Sequence, residues 1–307
     1  MQPMQPIEII EVSPRDGLQN ESAVVSTATK VALISRAIDA GLRRIEAVSF
    51  VNPKRVPQMA DAEAVMAAVP RGRSVRYCGL VLNEAGARRA VAAGCDEINY
   101  VVVSSETFSQ RNQGVAVVQA LERWAEVARI GREAGVGTTL TIAAAFGCPF
   151  EGEIAAGRIV DIAREAVGRA LPDELAVADT IGVAVPRDVG GLVGLLAGAF
   201  PAMPLRAHFH DTRNTGAANV MAAVAAGVRR LDASLGGIGG CPFAPAATGN
   251  IATEDTVYLL ERSGLATGVD LLRAIEASNW LAGQLQRSLP GLVGRAGPFP
   301  PAPAGHS

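Results

Sequence analysis

Short apolar runs rich in β-branched residues recur along the chain, each followed by an Ala-rich stretch with helical periodicity. IEIIEV (7–12) precedes STATKVALISRAIDAG, which runs from Ser26 to Gly41. RRIEAVSF (43–50) precedes a helix in the sixties. VRYCGLVL (75–82) leads into NEAGARRAVAAG, where Asn83 is placed to cap a helix and Gly94 to end it. EINYVVV (97–103) precedes a helix around 115–134, and GTTLTIAAAF (137–146) one around 154–170. ELAVAD (174–179) precedes a helix around 187–199, and LRAHFHD (205–211) precedes NTGAANVMAAVAAG. RLDASL (230–235) is followed by a Gly-rich loop and a helix opening near Glu254.

Eight strand-then-helix units result, with strands too apolar to expose either face. Parallel strands covered by helices read this way, and eight of them predict an α/β fold of the closed (β/α)8, or TIM-barrel, type. A doubly wound open sheet is the alternative. A further helix around 269–287 would pack outside the barrel or cap it. Residues 1–290 therefore read as one barrel domain, and the Pro/Gly-rich stretch 291–307 as an unstructured tail.

Composition narrows the function. The chain has 307 residues, 49% hydrophobic and 19% charged, which is enough for a large buried core. A formal charge of −2 leaves no electrostatic footprint for nucleic acid or an anionic membrane. The aromatic content of 4% also argues against base-stacking surfaces. Cys78, Cys95, Cys148 and Cys241 lie far apart with no CxxC pair, so neither a disulfide framework nor a structural zinc site is expected. MQPMQP carries no targeting signature, and no apolar run reaches membrane-spanning length. A cytoplasmic protein with no nucleic-acid or membrane partner is expected.

The polar residues of interest gather at one end of the predicted barrel. Catalytic groups of such barrels sit where strands end and the following loops begin. Arg15 and Asp16 lie just past the first run, in EVSPRDGLQNE, and Glu46 near the end of the second. Asp179 ends the sixth, and His208, His210 and Asp211 the seventh. Arg15 and Asp16 beside apolar strands are costly unless they pair or bind something. In HFHD, residues i and i+2 of a strand point the same way, so His208 and His210 project together. The remaining histidine, His306, is in the tail. Two core histidines satisfied by backbone groups are the plainer interpretation. With Asp16 and the amide oxygen of Asn250, however, the imidazoles make a mixed N/O set suited to an octahedral Mg2+ or Mn2+. GGIGGCPFAPAATGN (236–250) places Cys241 in a glycine-rich segment, where a proton-donating or nucleophilic thiol is conceivable. The other three cysteines read as buried structural thiols.

EVSPRDGLQNE, IEAVSFVNPKRVPQM, AAFGCPFEG, ADTIGV, HFHDT and GGIGGCPFAPAATGNIATED together resemble the 3-hydroxy-3-methylglutaryl-CoA lyase family. That family lies within a wider group of metal-dependent barrels that includes Claisen synthases. The resemblance spans residues 11 to about 287. It implies that Asp16, His208, His210 and Asn250 hold a divalent metal, Mg2+ or Mn2+. Arg15 matches the arginine that contacts the thioester carbonyl, Glu46 an acid supporting the site, and Cys241 the loop thiol assigned to proton transfer. Asp179 matches an active-site acid. His208 or Asp16 would serve as the base.

The implied reaction cleaves 3-hydroxy-3-methylglutaryl-CoA to acetyl-CoA and acetoacetate, with an acyl-CoA thioester as partner and a homodimer or larger assembly. The chain departs from the family pattern at Ser13, at Arg213-Asn214 after HFHDT, and at Thr141, Ala143 and Ala176, which stand where larger or more polar pocket residues are usual. These departures keep open a related 3-hydroxyacyl-CoA substrate, longer-chain or citramalyl-CoA-like. A bond-forming Claisen synthase and a catalytically silent CoA- or metal-binding barrel are the remaining alternatives.

Overall fold

The computed structural model describes residues 6–72, 74–240 and 249–300. Eight parallel strands close into a barrel, β1 (Glu8–Glu11), β2 (Arg44–Ser49), β3 (Arg76–Val81), β4 (Glu97–Val103), β5 (Gly137–Ala143), β6 (Glu174–Asp179), β7 (Leu205–Phe209) and β8 (Arg230–Ala233). Each strand pairs with its sequence neighbours, and β1 closes the ring on β8, with Ile10 opposite Asp232. All eight coincide with the apolar runs read from the sequence.

The helices follow in the expected rhythm: α1 (Thr27–Asp39), α2 (Ala62–Ala68), α3 (Glu84–Ala92), α4 (Glu106–Gln113), α5 (Val117–Ala134), α6 (Ala156–Arg169), α7 (Pro186–Ala199), α8 (Gly216–Ala225), α9 (Thr253–Arg262) and α10 (Leu271–Leu285). Local chemistry sets their starts. Ser26 Oγ accepts the Thr29 amide, Asn83 Oδ1 the Gly86 amide, and Asp270 the amides of Leu272 and Arg273. Their apolar faces bury against the outer face of the barrel, where Leu33, Ile34, Trp124, Ile159, Leu192 and Leu260 are almost fully enclosed. α4 was not anticipated, because ETFSQRNQ has no apolar period to reveal it.

The lumen departs from the Val/Ile/Leu layers usual for such barrels. Below the mouth, Arg44 grips Glu97 through two hydrogen bonds of 2.8 and 2.6 Å and Glu174 through two of 3.0 and 2.5 Å. Arg206, fully buried, pairs with Asp232 and lies 3.7 Å from both Glu97 and Glu174. Buried charges persist only when each meets an opposite one, and here they interlock across five strands.

Residues 291–296 carry more structure than their composition suggests. The amides of Leu292 and Val293 bond to Asp255, and a helical turn follows at Val293–Ala296. This turn lies within the stretch 291–307 expected to be an unstructured tail, of which residues 301–307 lie outside the described residues. An acidic side chain in the first turn of α9 supplies the acceptors that hold it.

Candidate active site

The mouth of the barrel is built from the turns that follow β1, β2, β7 and β8. After β1 the chain makes a wide turn at Ser13–Gly17, in which the Gly17 amide reaches back to the Val12 carbonyl at 3.2 Å. The turn turns Arg15 and Asp16 into the mouth. Gly17 is required because a Cβ there would lie 2.6 Å from Ile238 of the β8 loop. Glu11, fully buried, fastens the same region by accepting from Ser13, Leu235 and Thr253. The sequence reading overlooked Glu11, whose acidity in an apolar strand was the available signal.

Arg15 is 8% exposed and held on both sides. Its Nε donates to Glu46 Oε2 at 2.7 Å, and another nitrogen pairs with Asp16. Glu46 also accepts from Asn99 at 2.8 Å, and Asn99 accepts from Thr141 at 2.7 Å. Burial alone would raise the Asp16 carboxyl, but the Arg15 guanidinium and the two histidines hold it far below the ordinary carboxylate range. Asp16 is therefore an anion at any physiological pH.

His208 and His210 project together, with ring centroids 5.1 Å apart, and Phe209 turns into the hydrophobic packing outside the barrel. Each Nε2 lies 3.9 Å from Asp16 Oδ2. His210 pairs as an isolated antiparallel bridge with Asn250, flanked by Ile251 N–H to Phe209 O at 3.2 Å. That bridge brings Asn250 to the site, where its Nδ2 donates to Asp16 at 2.8 Å and to Ile238 O at 3.0 Å. Asn250 Oδ1 and His210 Nδ1 are buried with no hydrogen-bond partner among the described residues.

These orphaned atoms test the fit to a cation. Asp16, His208 and His210 place donor atoms within 4.8 Å of one another, and Asn250, whose Nδ2 touches Asp16, keeps an amide oxygen with no hydrogen-bond partner among the described residues. One carboxylate, two imidazoles and one amide fit a six-coordinate divalent ion that keeps positions open for other ligands. The plainer interpretation, histidines satisfied by backbone groups, does not describe them: His208 Nδ1 meets Asp232 Oδ2 at 3.0 Å, and His210 Nδ1 has no hydrogen-bond partner among the described residues. Burial disfavours the charged form of His208, but Asp232 and then Asp16 raise its pKa above the ordinary value. Asp232 was also overlooked. Its signal was the alternation of the polar Arg230 and Asp232 with apolar Leu231 and Ala233 along β8.

Asp179 stands at the end of β6, where both carboxylate oxygens are occupied by the amides of Val183 at 2.9 Å and Ala184 at 3.0 Å. Burial raises its pKa against the effect of those amides. Arg213 braces the same loop by donating to Ile181 O and Gly182 O. The departure from the family pattern at Arg213 thus has a structural use here. Thr141 and Ala176 lie on inward positions of β5 and β6, with Ala143 at the end of β5. Cys241 lies outside the described residues. Cys78, Cys95 and Cys148 are buried free thiols, and burial pushes Cys95 up to about 12.

Residues 6–281 match the family model described as HMGL-like. The chain is 43% identical to the (R)-citramalyl-CoA lyase of Chloroflexus aurantiacus over 97% of each chain. It is 40% identical to the hydroxymethylglutaryl-CoA lyase of Pseudomonas mevalonii, covering 94% of this chain and 97% of that one. Its backbone superposes with a TM-score of 0.92 on an HMG-CoA lyase from Acinetobacter baumannii in complex with coenzyme A and 3-methylmalate, at 37% identity and 98% coverage of both chains. The chain belongs to the HMGL-like family, a family of lyases on a TIM barrel.

Proposed function

We propose that this HMGL-like barrel cleaves the bond between C2 and C3 of 3-hydroxy-3-methylglutaryl-CoA, releasing acetyl-CoA and acetoacetate. The observation that carries the proposal is the convergence of Arg15, Asp16, His208, His210 and Asn250 on one mouth from three separated segments. The identity to lyases of this substrate supports the acyl group. Mg2+ or Mn2+ as the metal, a cytoplasmic location and a homodimer or larger assembly are parts of the same proposal. Among the described residues no helix is long and apolar enough to cross a membrane.

The reaction needs the C3 hydroxyl to lose a proton, the C2–C3 bond to break, and C2 to gain a proton. Asp16, His208, His210 and Asn250 would hold the divalent cation. When bound, such a cation supplies Lewis acidity toward substrate oxygens. Asp16 or His208 takes the hydroxyl proton, and the electron pair of the O–H bond becomes the new ketone. The pair from the C2–C3 bond then resides on the acetyl thioester as an enolate. Arg15 meets the charge on that thioester oxygen, in an orientation that Glu46 maintains. By analogy with one oxyanion-hole donor, a fixed donor of this kind contributes about 2.7–4 kcal/mol. Cys241 is the proposed donor of the proton to C2, and the carboxylate of Asp179 shapes the neighbouring loop.

A second reading has its own support in the 43% identity to an (R)-citramalyl-CoA lyase. Citramalyl-CoA carries the same tertiary alcohol and thioester with one methylene fewer before the carboxylate, and its cleavage releases pyruvate. The small side chains at Ala143 and Ala176 do not choose between the two. Incubating the purified protein and Mn2+ with each thioester separates them. Acetoacetate from the first at the higher kcat/KM supports the main proposal. Pyruvate from the second at the higher kcat/KM transfers the assignment, and no product from either overturns both.

A further inference from the structure

We infer that Asp232 is a positioning residue for the metal ring: it fixes the tautomer and ring plane of His208 so that Nε2 is left as the free donor. The inference rests on the metal-site reading above and deepens it.

Three observations carry it. First, β7 and β8 are in register with His208 opposite Asp232, so both side chains enter the lumen at the same height. Second, Asp232 Oδ2 lies 3.0 Å from His208 Nδ1. An ionised carboxylate only accepts hydrogen bonds, so Nδ1 carries the proton and the lone pair sits on Nε2. That nitrogen is the one 3.9 Å from Asp16 Oδ2, on the side where the donor atoms converge. Third, Asp232 is itself immobilised. Its other oxygen accepts from Nε of Arg206, which is 0% exposed and lies 3.7 Å from the Glu97 and Glu174 carboxylates bound by Arg44. The orientation of His208 is therefore anchored in the charged layer beneath the site.

His210 provides the contrast. Among the described residues its Nδ1 has no partner, so none of them selects its tautomer in a comparable way. A carboxylate behind an imidazole both orients the ring and raises its basicity as a ligand, and losing such a partner typically costs ten- to a hundredfold in metal affinity. Asp232→Asn is a sharp perturbation because an amide has only one oxygen. Its NH2 group must face either Arg206 or the protonated Nδ1, setting donor against donor.

The tautomer can be read in the wild-type protein. The chain has three histidines, so long-range 1H–15N spectra of the Mg2+-loaded, 15N-histidine-labelled protein are assignable with the His306→Gln and His210→Asn variants. His208 protonated at Nδ1 is the expected result, and protonation at Nε2 overturns the inference. Mn2+ titration followed by electron paramagnetic resonance gives the second measurement. Asp232→Asn should weaken Mn2+ binding ten- to a hundredfold in protein that circular dichroism shows to be folded. An unchanged dissociation constant with only a lower melting temperature makes Asp232 structural and overturns the inference. If Asp232→Asn does not fold, Arg206→Gln replaces it, with weaker Mn2+ binding expected and an unchanged constant counting against the inference. Wild-type protein that binds neither ion overturns the metal site itself, a result distinct from failure of the Asp232 inference alone.

Discussion

Arg15 Nε donates to Glu46 Oε2 at 2.7 Å, joining the turn after β1 to the inward face of β2 across 31 residues. Glu46 is fully buried and its other oxygen is taken by Asn99, so the guanidinium plane is set by an acid that cannot itself turn. Orientation of the cation is thus built in before any substrate arrives.

Replacing Arg15 by Gln should lower kcat about a hundred- to a thousandfold while Mn2+ binding is retained. Glu46→Gln should lose less, because the cation remains but its anchor weakens. The double variant should fall short of the product of the two losses, since both act through one guanidinium. Steady-state kinetics on the three proteins checks this, and near-normal turnover of Arg15→Gln removes Arg15 from the chemistry.

Chelation should abolish turnover, and Mn2+ or Mg2+ should restore it. Asn250→Ala should weaken Mn2+ binding, because it removes a buried amide oxygen that has no hydrogen-bond partner among the described residues. Isothermal titration on the chelator-treated protein measures both effects. Full activity after exhaustive chelation is the result that refutes them.

Gly249 tolerates no side chain. A Cβ built there would overlap the Gly237 carbonyl oxygen, an obstacle of backbone rather than of a flexible side-chain end. Gly249→Ala should therefore cost at least about 1–3 kcal/mol of stability and displace the adjacent Asn250. A lowered melting temperature together with weakened Mn2+ binding is expected. A variant matching wild type in both would show that the two loops separate readily.

Glu254 gives a pH signature. Its buried carboxyl accepts from the Gly236 amide and from Ser278, and desolvation pushes it up to about 7 from its ordinary value of 4.5. Between those values the folded state holds a proton that the unfolded chain releases. Stability therefore falls as pH rises through this window, by at most about 3 kcal/mol from this group. Glu254→Gln mimics the protonated form and should flatten the melting-temperature profile between about pH 4.5 and 7. An unchanged slope in the variant would assign the pH dependence to another group.

The sequence legibly marks the strands, because a buried parallel strand must be apolar on both faces and its helix periodic. Differences fall where geometry intervenes. The fifth run reads to Phe146, but the strand stops at Ala143 because Ala144 takes a positive φ of 55°. The seventh run reads to Asp211, but β7 stops at Phe209, and His210 leaves the ladder to pair with Asn250. The grouping of Asp16, His208, His210 and Asn250 was also legible, from strand-end position and the i, i+2 spacing of the histidines.

What lay beyond the sequence is how those groups are supported. Arg44 and Glu174 are 130 residues apart, His208 and Asp232 are 24 apart, and Thr253 and Glu11 are 242 apart. Each reads alone as a polar residue in or beside an apolar strand, with no local partner to explain it. The chain by itself determined which segments become strands and which donor types reach the barrel mouth, since hydrophobic period and chemistry are local properties. Closure of the ring decided the rest. Hydrogen bonds act over about 3 Å, so only register across neighbouring strands could select which buried charge meets which, and which histidine nitrogen is left free.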